Sequence, residues 1–374
     1  MKILRNIILV LLVLIIITGT ALYFIYNNQI SAVDKNSNAN IEVVIPSGTT
    51  TKEIGKILKD KDLIHSEFFY MIYLKLNNVN SLKSSTYVLK KSMNLKEILT
   101  VLEKGNAYNP DQISLTFIEG SNMRKIAAEI SKKTVNGYED VLNLLKDEEY
   151  INSLINNYWF LTDEIKNKDI YYPLEGYLAP NTYEFKNSDV STKEIFKTLL
   201  DATDTILSKE KKNIEESGYT VHQLLTLASM VELEVNSEES RKGVAGVFIN
   251  RLKRNMSLGS DVTTYYAIKA DSEQDVINYT SLHGNPYTTY NPYNTRGSNM
   301  EGKLPVGPVC NPSSMSVNAT INYTPTDYLF FVTGYDEEKF KNGVKYINIY
   351  YTKTNAEHEQ KVNELKSKGL FVSW

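Results

Sequence analysis

Residues 220–235, TVHQLLTLASMVELEV, predict an amphipathic helix around which the C-terminal half of the chain is organised. Thr220 is of a residue type that often caps the N-terminus of a helix. The Leu, Ala, Met and Val residues that follow form a broad apolar face. A second helix is predicted from Glu238 to Lys253, where VAGVFINRL supplies another apolar stripe. Because short strands are predicted elsewhere, we expect an α+β fold.

Glu232 falls on the apolar face of the first predicted helix. It follows Leu225 by seven residues and Ala228 by four, and this spacing places the three side chains on one side of a regular helix. Burial favours the protonated form of a carboxyl group, which is the form that a general acid needs. Glu232 is therefore a candidate for a catalytic acid/base. The alternative is a buried glutamate that caps or pairs with a neighbour. Glu234 lies about 200° further around the helix and is expected to face another part of the structure or solvent.

A long polar segment follows the two helices. After LGSDVTTYYAI at residues 258–268, residues 283–312 read HGNPYTTYNPYNTRGSNMEGKLPVGPVCNP. A loop of this length in a compact domain is usually functional. Its amide, hydroxyl and aromatic side chains suit a neutral polar polymer, and the alternative is an irregular surface loop.

A predicted strand–turn–helix unit occurs twice in the N-terminal half. One copy, IEVVIPSGTTTKEIGKIL, begins at Ile41, and the other, ISLTFIEGSNMRKIAAEI, begins at Ile113. In this alignment Gly48 corresponds to Gly120. We expect each glycine to adopt a positive φ between its strand and its helix.

Residues 41–106 are predicted to form a small α+β module. Residues 66–80 and 94–104 have helical patterns, with Asn94 as the cap of the second helix, and SSTYVLKKS at residues 84–92 has the pattern of a strand. The module resembles LysM-type domains, which bind N-acetylglucosamine chains. The alternative is a spacer domain without a ligand.

The N-terminus is predicted to be a membrane anchor. Ile7 to Ile25 is a 19-residue stretch without a charge, long enough to span a hydrocarbon core of about 30 Å. Lys2 and Arg5 precede it, so the positive-inside rule leaves the N-terminus in the cytoplasm and the rest of the chain outside. The bulky Tyr-Phe-Ile-Tyr at its end favours an uncleaved anchor over a signal peptide. The chain is thus predicted to begin with a cytoplasmic tail (residues 1–6), a transmembrane helix (7–26) and a linker (27–40). The LysM-like module (41–106) and a larger α+β catalytic domain (107–374) follow.

Composition excludes several other classes. A net charge of −3 from 41 basic and 44 acidic side chains gives no basic excess for binding nucleic acid. One cysteine, Cys310, excludes a disulfide framework within the chain. The four histidines are scattered without a metal-ligand spacing, so neither a structural nor a catalytic zinc is expected.

Several motifs, in the same order along the chain, resemble the endolytic murein transglycosylases of the YceG-like family. LASMVELE and VAGVFINRL, at residues 227–234 and 244–252, match the two helix motifs of that family. The further matches are LGSDVT, PYNT, LPVGPVCNP and, upstream, LEGYLAPNTYEF, at residues 258–263, 292–295, 304–312 and 174–185. The resemblance covers almost the whole chain.

This resemblance implies a lytic transglycosylase that cuts the MurNAc–GlcNAc bond of nascent peptidoglycan strands and closes a 1,6-anhydro ring on MurNAc. It implies that Glu232 is the acid/base, that no metal or cofactor is needed, and that the enzyme works at the membrane, alongside peptidoglycan synthases. The residues expected to position this glutamate or to hold sugars are Asp261, Thr263, Tyr293, Asn294 and Glu175.

The chain departs from the family pattern at several positions. Val262 replaces a frequent proline, Arg296 a tyrosine and Asn181 an acidic residue, and the C-terminal stretch keeps His358 but lacks an earlier histidine. Two other functions remain open at this point. One is a membrane-tethered scaffold that grips glycan without cutting it, and the other is a glycoside hydrolase with a further carboxylate.

Overall fold

The computed structural model describes residues 2–46, 48–79, 81–105 and 111–372 of the chain. The chain divides after Gln112 into two compact units. Each unit combines helices with a small antiparallel sheet, so the predicted mixture of α and β structure is confirmed. The predicted domain boundary between residues 106 and 107 lies outside the described residues.

The first unit has two strands and four helices in its described part. In chain order these are α1 (Lys2–Ile30), β1 (Asn40–Ile45), α2 (Thr51–Asp60), α3 (Glu67–Leu76), β2 (Ser85–Lys90) and α4 (Leu95–Lys104). β1 and β2 pair antiparallel, with Asn40 opposite Lys90 and Ile45 opposite Ser85. The helices and the sheet bury a shared apolar core that includes Leu58, Tyr70, Tyr87 and Ile98.

Capping side chains fix the helix starts in this unit. Asn94 accepts a hydrogen bond from the backbone N–H of Glu97, whose side chain in turn accepts from the backbone N–H of Asn94. Such a capping box satisfies two N–H groups that a helix start leaves without partners. The predicted cap at Asn94 and the helix after it are therefore confirmed.

Within α1, the segment Leu12–Ile30 is a 19-residue helix that is long and apolar enough to cross a membrane. α1 continues to Ile30, so the first four residues of the predicted linker are helical. The helix continues because residues 27–30 contain neither Gly nor Pro, the residues that most strongly oppose helix.

The second unit has four strands and twelve α-helices among its described residues. Its first part contains β3 (Ile113–Phe117), α5 (Met123–Lys133), α6 (Tyr138–Leu144), α7 (Glu148–Asn157), β4 (Asn181–Phe185), α8 (Thr192–Lys209) and α9 (Lys211–Ser217). A short 3-10 helix at Asp163–Lys166 precedes β4. Its second part contains α10 (Val221–Glu234), α11 (Glu238–Lys253), α12 (Asp261–Ala267), α13 (Glu273–His283), α14 (Ser314–Ile321), β5 (Phe330–Tyr335), α15 (Glu337–Lys341), β6 (Ile347–Thr352) and α16 (Asn355–Ser367). β3 pairs antiparallel with β4, and β5 with β6.

Both copies of the strand–turn–helix unit are confirmed, one in each of the two compact units. β1 leads into α2 and β3 into α5, and the two turns contain Gly48 at φ 84° and Gly120 at φ 75°. A residue with a Cβ atom is disfavoured at such angles, whereas glycine adopts them at little cost. The equivalent residues Ile54 and Ile126 are both buried in the core of their own unit.

α10 is buried on almost every side, and this differs from the one-sided apolar face that its sequence predicts. Leu224, Leu225 and Ala228 belong to an apolar core that includes β3 and α5. Leu227 and Met230 belong to a second core with α11. The small polar residues between them are also buried, because other segments cover the remaining side of the helix. A helix enclosed in this way holds the side chains at its C-terminal end in fixed positions.

Candidate active site

Glu232 lies in a buried ion pair. One carboxylate oxygen accepts a hydrogen bond from Arg241 Nη2 at 3.1 Å, and both side chains are 6% exposed. The other oxygen accepts from the backbone N–H of Ser313 at 2.9 Å and from its hydroxyl at 2.5 Å. Arg241 and Ser313 thus occupy both carboxyl oxygens of Glu232 as hydrogen-bond donors.

Glu234 lies instead in the wall of a cavity of about 670 Å³. It is the last residue of α10 and is half-buried, and Ser260 Oγ donates a 2.5 Å hydrogen bond to its Oε1. Burial raises the pKa of Glu234 to about 7 and the negative charge of Asp261 acts in the same direction, against the opposing effects of Ser260, Arg251 and Arg296. Glu234 thus combines access to a ligand with a proton that it can give or take near neutral pH.

The cavity wall combines residues from four secondary-structure elements and one loop of the second unit. Glu234 comes from α10, Arg251 from α11, Phe330 from β5 and His358 from α16. The rest of the wall comes mainly from the loop before α12 and its first residues, at positions 257–262. The cavity volume is in the range typical of small-molecule sites, about 300–1,000 Å³.

Two arginines hold the loop at residues 257–262 in place. Arg251 donates to the carbonyl oxygens of Leu258 at 2.7 Å and of Leu329 at 2.6 Å, which ties the loop to the start of β5. Arg296 forms an ion pair with Asp261 at 2.6 Å. Asp261 is the one additional residue predicted for the site that lines this cavity, and its carboxylate is on the same wall segment as Ser260.

Thr263 and Asn294 lie behind the cavity wall. Thr263 Oγ1 donates to the carbonyl oxygen of Ser260 at 2.7 Å and bonds Thr295 Oγ1 at 2.8 Å. Asn294 accepts from Thr264 Oγ1 at 2.6 Å and donates to the carbonyl oxygens of residues 286 and 289. Both are fully or almost fully buried, so their contacts shape the loops that carry Ser260 and Asp261.

Tyr293 lies in the apolar core. Its ring is 4.7 Å from the rings of both Tyr171 and Tyr266, and its hydroxyl accepts a hydrogen bond from the backbone N–H of Tyr171 at 3.2 Å. It is fully buried, and the contacts of its ring are with protein. The structure therefore places Tyr293 in a packing position rather than on the cavity wall.

Glu175 belongs to another buried cluster of polar groups. Its Oε2 accepts from the backbone N–H of Met123 and from Tyr266 Oη, each at 2.9 Å, and its Oε1 accepts from Asn311 Nδ2 at 3.0 Å. Burial raises the pKa of Glu175 to about 7, against the lowering effect of these hydrogen bonds. Glu175 links α5, α12 and the loop before α14, and it lies outside the cavity wall.

Glu234, Arg251 and His358 line one cavity, which their positions in the sequence did not predict. The position of Glu234 in the sequence was a usable indication, because a polar residue at the end of an apolar helix can face a neighbouring loop. Arg241, nine residues after Glu232 on the next helix, also signalled an ion pair between the helices. Among the described residues, no three His, Cys, Asp or Glu side chains are arranged to hold a metal ion.

A carboxyl group with a pKa near 7 in the wall of a polar cavity is typical of enzymes that transfer a proton during catalysis. The chain belongs to the YceG-like family, whose family model matches residues 43–364.

Proteins with known names and structures support this membership. An endolytic murein transglycosylase of Bacillus subtilis (strain 168) is 34% identical over 361 residues, which cover 96% of this chain and 92% of that protein. An endolytic murein transglycosylase of Streptococcus pneumoniae (strain D39) is 32% identical over 91% of this chain and 62% of that protein. The crystal structure of a yceG-like protein from Listeria monocytogenes, 31% identical, matches with a TM-score of 0.57 over 86% of this chain and 99% of that one.

Proposed function

We propose that this protein is an endolytic lytic transglycosylase that cleaves the MurNAc–GlcNAc bond of peptidoglycan glycan strands. The observation that carries the proposal is Glu234, a half-buried carboxyl group with a pKa of about 7 in the wall of a 670 Å³ cavity. The names of the relatives supply the substrate and the type of reaction.

Glu234 acts in both halves of the proposed reaction. Its carboxyl group first gives a proton to the oxygen that bridges MurNAc C1 and GlcNAc C4, and the C1–O bond breaks to leave a free GlcNAc 4-hydroxyl. The carboxylate of Glu234 then takes the proton from the MurNAc C6 hydroxyl, while that oxygen bonds to C1. The acid is restored, no water is consumed, and the product ends in 1,6-anhydroMurNAc.

One carboxyl group is sufficient for this reaction. The nucleophile belongs to the substrate, so the effective concentration is high and no second carboxylate has to activate a water molecule. Asp261, paired with Arg296, keeps a negative charge near Glu234 and so helps to keep it protonated. No metal or cofactor takes part in the proposed reaction.

We propose Glu234 in place of Glu232 as the acid/base. Both carboxyl oxygens of Glu232 already accept hydrogen bonds from Arg241 and Ser313, and its side chain is only 6% exposed. In the described part of the chain, the Glu234 side chain has one hydrogen-bond partner, Ser260, and it lies beside the cavity. The role of Glu232 as the acid remains a prediction that paired variants decide.

We also propose that α1 anchors the protein in the cytoplasmic membrane, with the N-terminus in the cytoplasm and the rest of the chain outside. The apolar segment Leu12–Ile30 and the basic residues Lys2 and Arg5 support this topology. An anchored enzyme reaches strands as synthases make them, so its cuts end the elongation of nascent strands. The module at residues 41–106 is proposed to be LysM-like and to hold glycan near the catalytic domain at residues 107–374.

A digest of nascent, uncrosslinked glycan by the full chain in detergent tests the function. Anhydro-MurNAc ends are the expected product. Reducing ends, heavier by one water molecule, identify a hydrolase, for which Asp261 is the available second carboxylate on the cavity wall. An unchanged strand length together with bound glycan identifies a scaffold. Either of the last two results overturns the proposal.

A further inference from the structure

His358 occupies the cavity wall with one ring nitrogen that has no partner. The residue lies on α16, and its ring stacks on that of Phe330 with centroids 5.4 Å apart and planes 26° apart. The Arg251 guanidinium also lies close to this ring, 4.9 Å from the centroid of Phe330. His358 Nδ1 is buried, and it has no hydrogen-bond partner in the described part of the chain.

The unpartnered Nδ1 determines where the proton of the imidazole lies. A buried N–H without an acceptor is rarer and costs more than a buried acceptor without a donor. The favoured neutral tautomer therefore carries its proton on Nε2 and leaves a lone pair on Nδ1. Because the ring lines the cavity and Nδ1 is shielded, Nε2–H is the group that can reach a ligand.

Burial and a nearby positive charge both favour the neutral form of this imidazole. Burial lowers the pKa of His358, and the positive charge of Arg251 on α11 lowers it further, against a smaller opposing effect of Glu359 on the same helix. Protonation would also place an N–H on the buried Nδ1, for which the described residues provide no acceptor. The other charged residues of the cavity wall are Glu234, Asp261 and Arg296.

We propose that His358 is a substrate-binding residue that donates a hydrogen bond from Nε2–H to the acetamido carbonyl oxygen of an N-acetylated amino sugar. This inference rests on the proposed function, because it places that sugar in the same cavity as Glu234. The amide carbonyl is the strongest neutral acceptor on such a sugar. A carboxylate on the substrate would pair instead with an arginine of the wall, Arg251 or Arg296.

Three variants separate the hydrogen bond from the packing of the ring. In His358→Gln the side-chain amide can place its N–H near the position of Nε2. In His358→Asn it can reach only the position of Nδ1, and His358→Leu fills space without a donor. Each is made in the full chain in detergent. Calorimetry, fitted with a separate site for the module at residues 41–106, gives the Kd of the cavity for the β-1,4-linked tetramer of N-acetylglucosamine and for its de-N-acetylated form.

We expect the Kd values of wild type and His358→Gln for the acetylated tetramer to agree within about twofold. The Asn and Leu variants should bind it about five- to tenfold more weakly, because they lack one neutral hydrogen bond. Binding of the de-N-acetylated tetramer should be nearly equal in all four proteins. Melting temperatures check that each variant is folded.

Two sets of results overturn the inference. Equal affinity of wild type and the Asn variant, or a Gln variant as weak as the Leu variant, shows that His358 only packs against Phe330. Absence of binding by the wild type, or no preference for the acetylated tetramer, excludes the acetamido contact. Failure of the proposed function is recognised separately, because wild type then forms no anhydro ends in the glycan digest, whatever the pattern of tetramer binding.

Discussion

The carboxyl groups of Glu232 and Glu234, two residues apart at the end of α10, lie in two different environments. Glu232 forms a buried ion pair with Arg241, whereas Glu234 bonds Ser260 and lines the cavity. Two positions correspond to about 200° of rotation on a helix, so the two side chains leave α10 in nearly opposite directions. Glu232 therefore links α10 to α11, whereas Glu234 faces the cavity.

Glu234→Gln should abolish the formation of anhydro ends. Glutamine cannot give or take the proton, and loss of general acid/base catalysis typically lowers rates by about a hundredfold or more. Stability should change little, because Ser260 is the only hydrogen-bond partner of the Glu234 side chain among the described residues. Single-turnover rates on nascent glycan and a thermal melt measure the two effects.

Glu232→Gln is the matched control. Its main expected effect is a lower melting temperature, because the amide group faces donors on every side. The folded fraction should still form anhydro ends. The opposite pattern, with an active Glu234→Gln protein and a folded but inactive Glu232→Gln protein, would return the acid/base role to Glu232.

Ser260→Ala should move the basic limb of the pH–rate profile to higher pH. In the wild type, activity should fall as the pH rises through about 7, because Glu234 then loses the proton that it must donate. The hydroxyl of Ser260 stabilises the carboxylate form, so its removal raises the pKa of Glu234 further. Ser257→Ala is the control on the same wall. The Ser257 hydroxyl donates to the carbonyl oxygen of Thr295, so its loss should leave the basic limb of the pH–rate profile unchanged. Equal shifts in both variants would refute this account of Ser260.

Asp261→Asn should keep the product chemistry of the wild type. A lytic transglycosylase needs one carboxyl group, so the variant should retain more than about a tenth of the rate and still form anhydro ends. It should also move the basic limb to lower pH, since the charge of Asp261 raises the pKa of Glu234. Mass spectrometry of the new ends reports the product. A complete loss of cutting would favour a two-carboxylate hydrolase.

Arg241→Ala should destabilise the protein strongly. It leaves Glu232 as a buried carboxylate without its counter-charge, a change that typically costs about 3–5 kcal/mol in the free energy of unfolding. Lys242→Ala is the control at the next position of α11, where the pair with Glu238 is exposed to solvent and should contribute little to stability. Denaturant unfolding measures both. A similar, small cost for the two variants would mean that the Glu232–Arg241 pair adds little to stability.

Glu175→Gln should flatten the dependence of stability on pH. The pKa of Glu175 is raised to about 7 from an ordinary value of 4.5, so between these pH values the folded protein holds a proton that the unfolded chain has released. The wild type therefore loses stability as the pH rises from about 4.5 to about 7.

The measurement is the difference between the melting temperatures at pH 5 and pH 8. It should be smaller in Glu175→Gln than in the wild type, while Glu301→Gln, at an exposed position, should leave it unchanged. An undiminished difference in Glu175→Gln would show that another group dominates the pH dependence in this range.

Much of the local structure follows from the sequence because it depends on residues a few positions apart. The bounds of α11, the caps at Thr220 and Asn94, and the positive φ at Gly48 and Gly120 all agree with prediction. Each of these features is decided by short-range hydrogen bonds or by backbone sterics, which a local pattern contains.

The candidate site depended on distant parts of the chain. The hydroxyl that bonds Glu232 comes from Ser313, 81 residues later, and the cavity beside Glu234 is closed by His358 on α16. By itself, the sequence determined that a glutamate at the end of one helix lies among apolar residues, and which motifs surround it. Only the tertiary structure decided which glutamate is held in an ion pair and which faces a cavity, because a helical pattern gives the direction of a side chain but not what lies there.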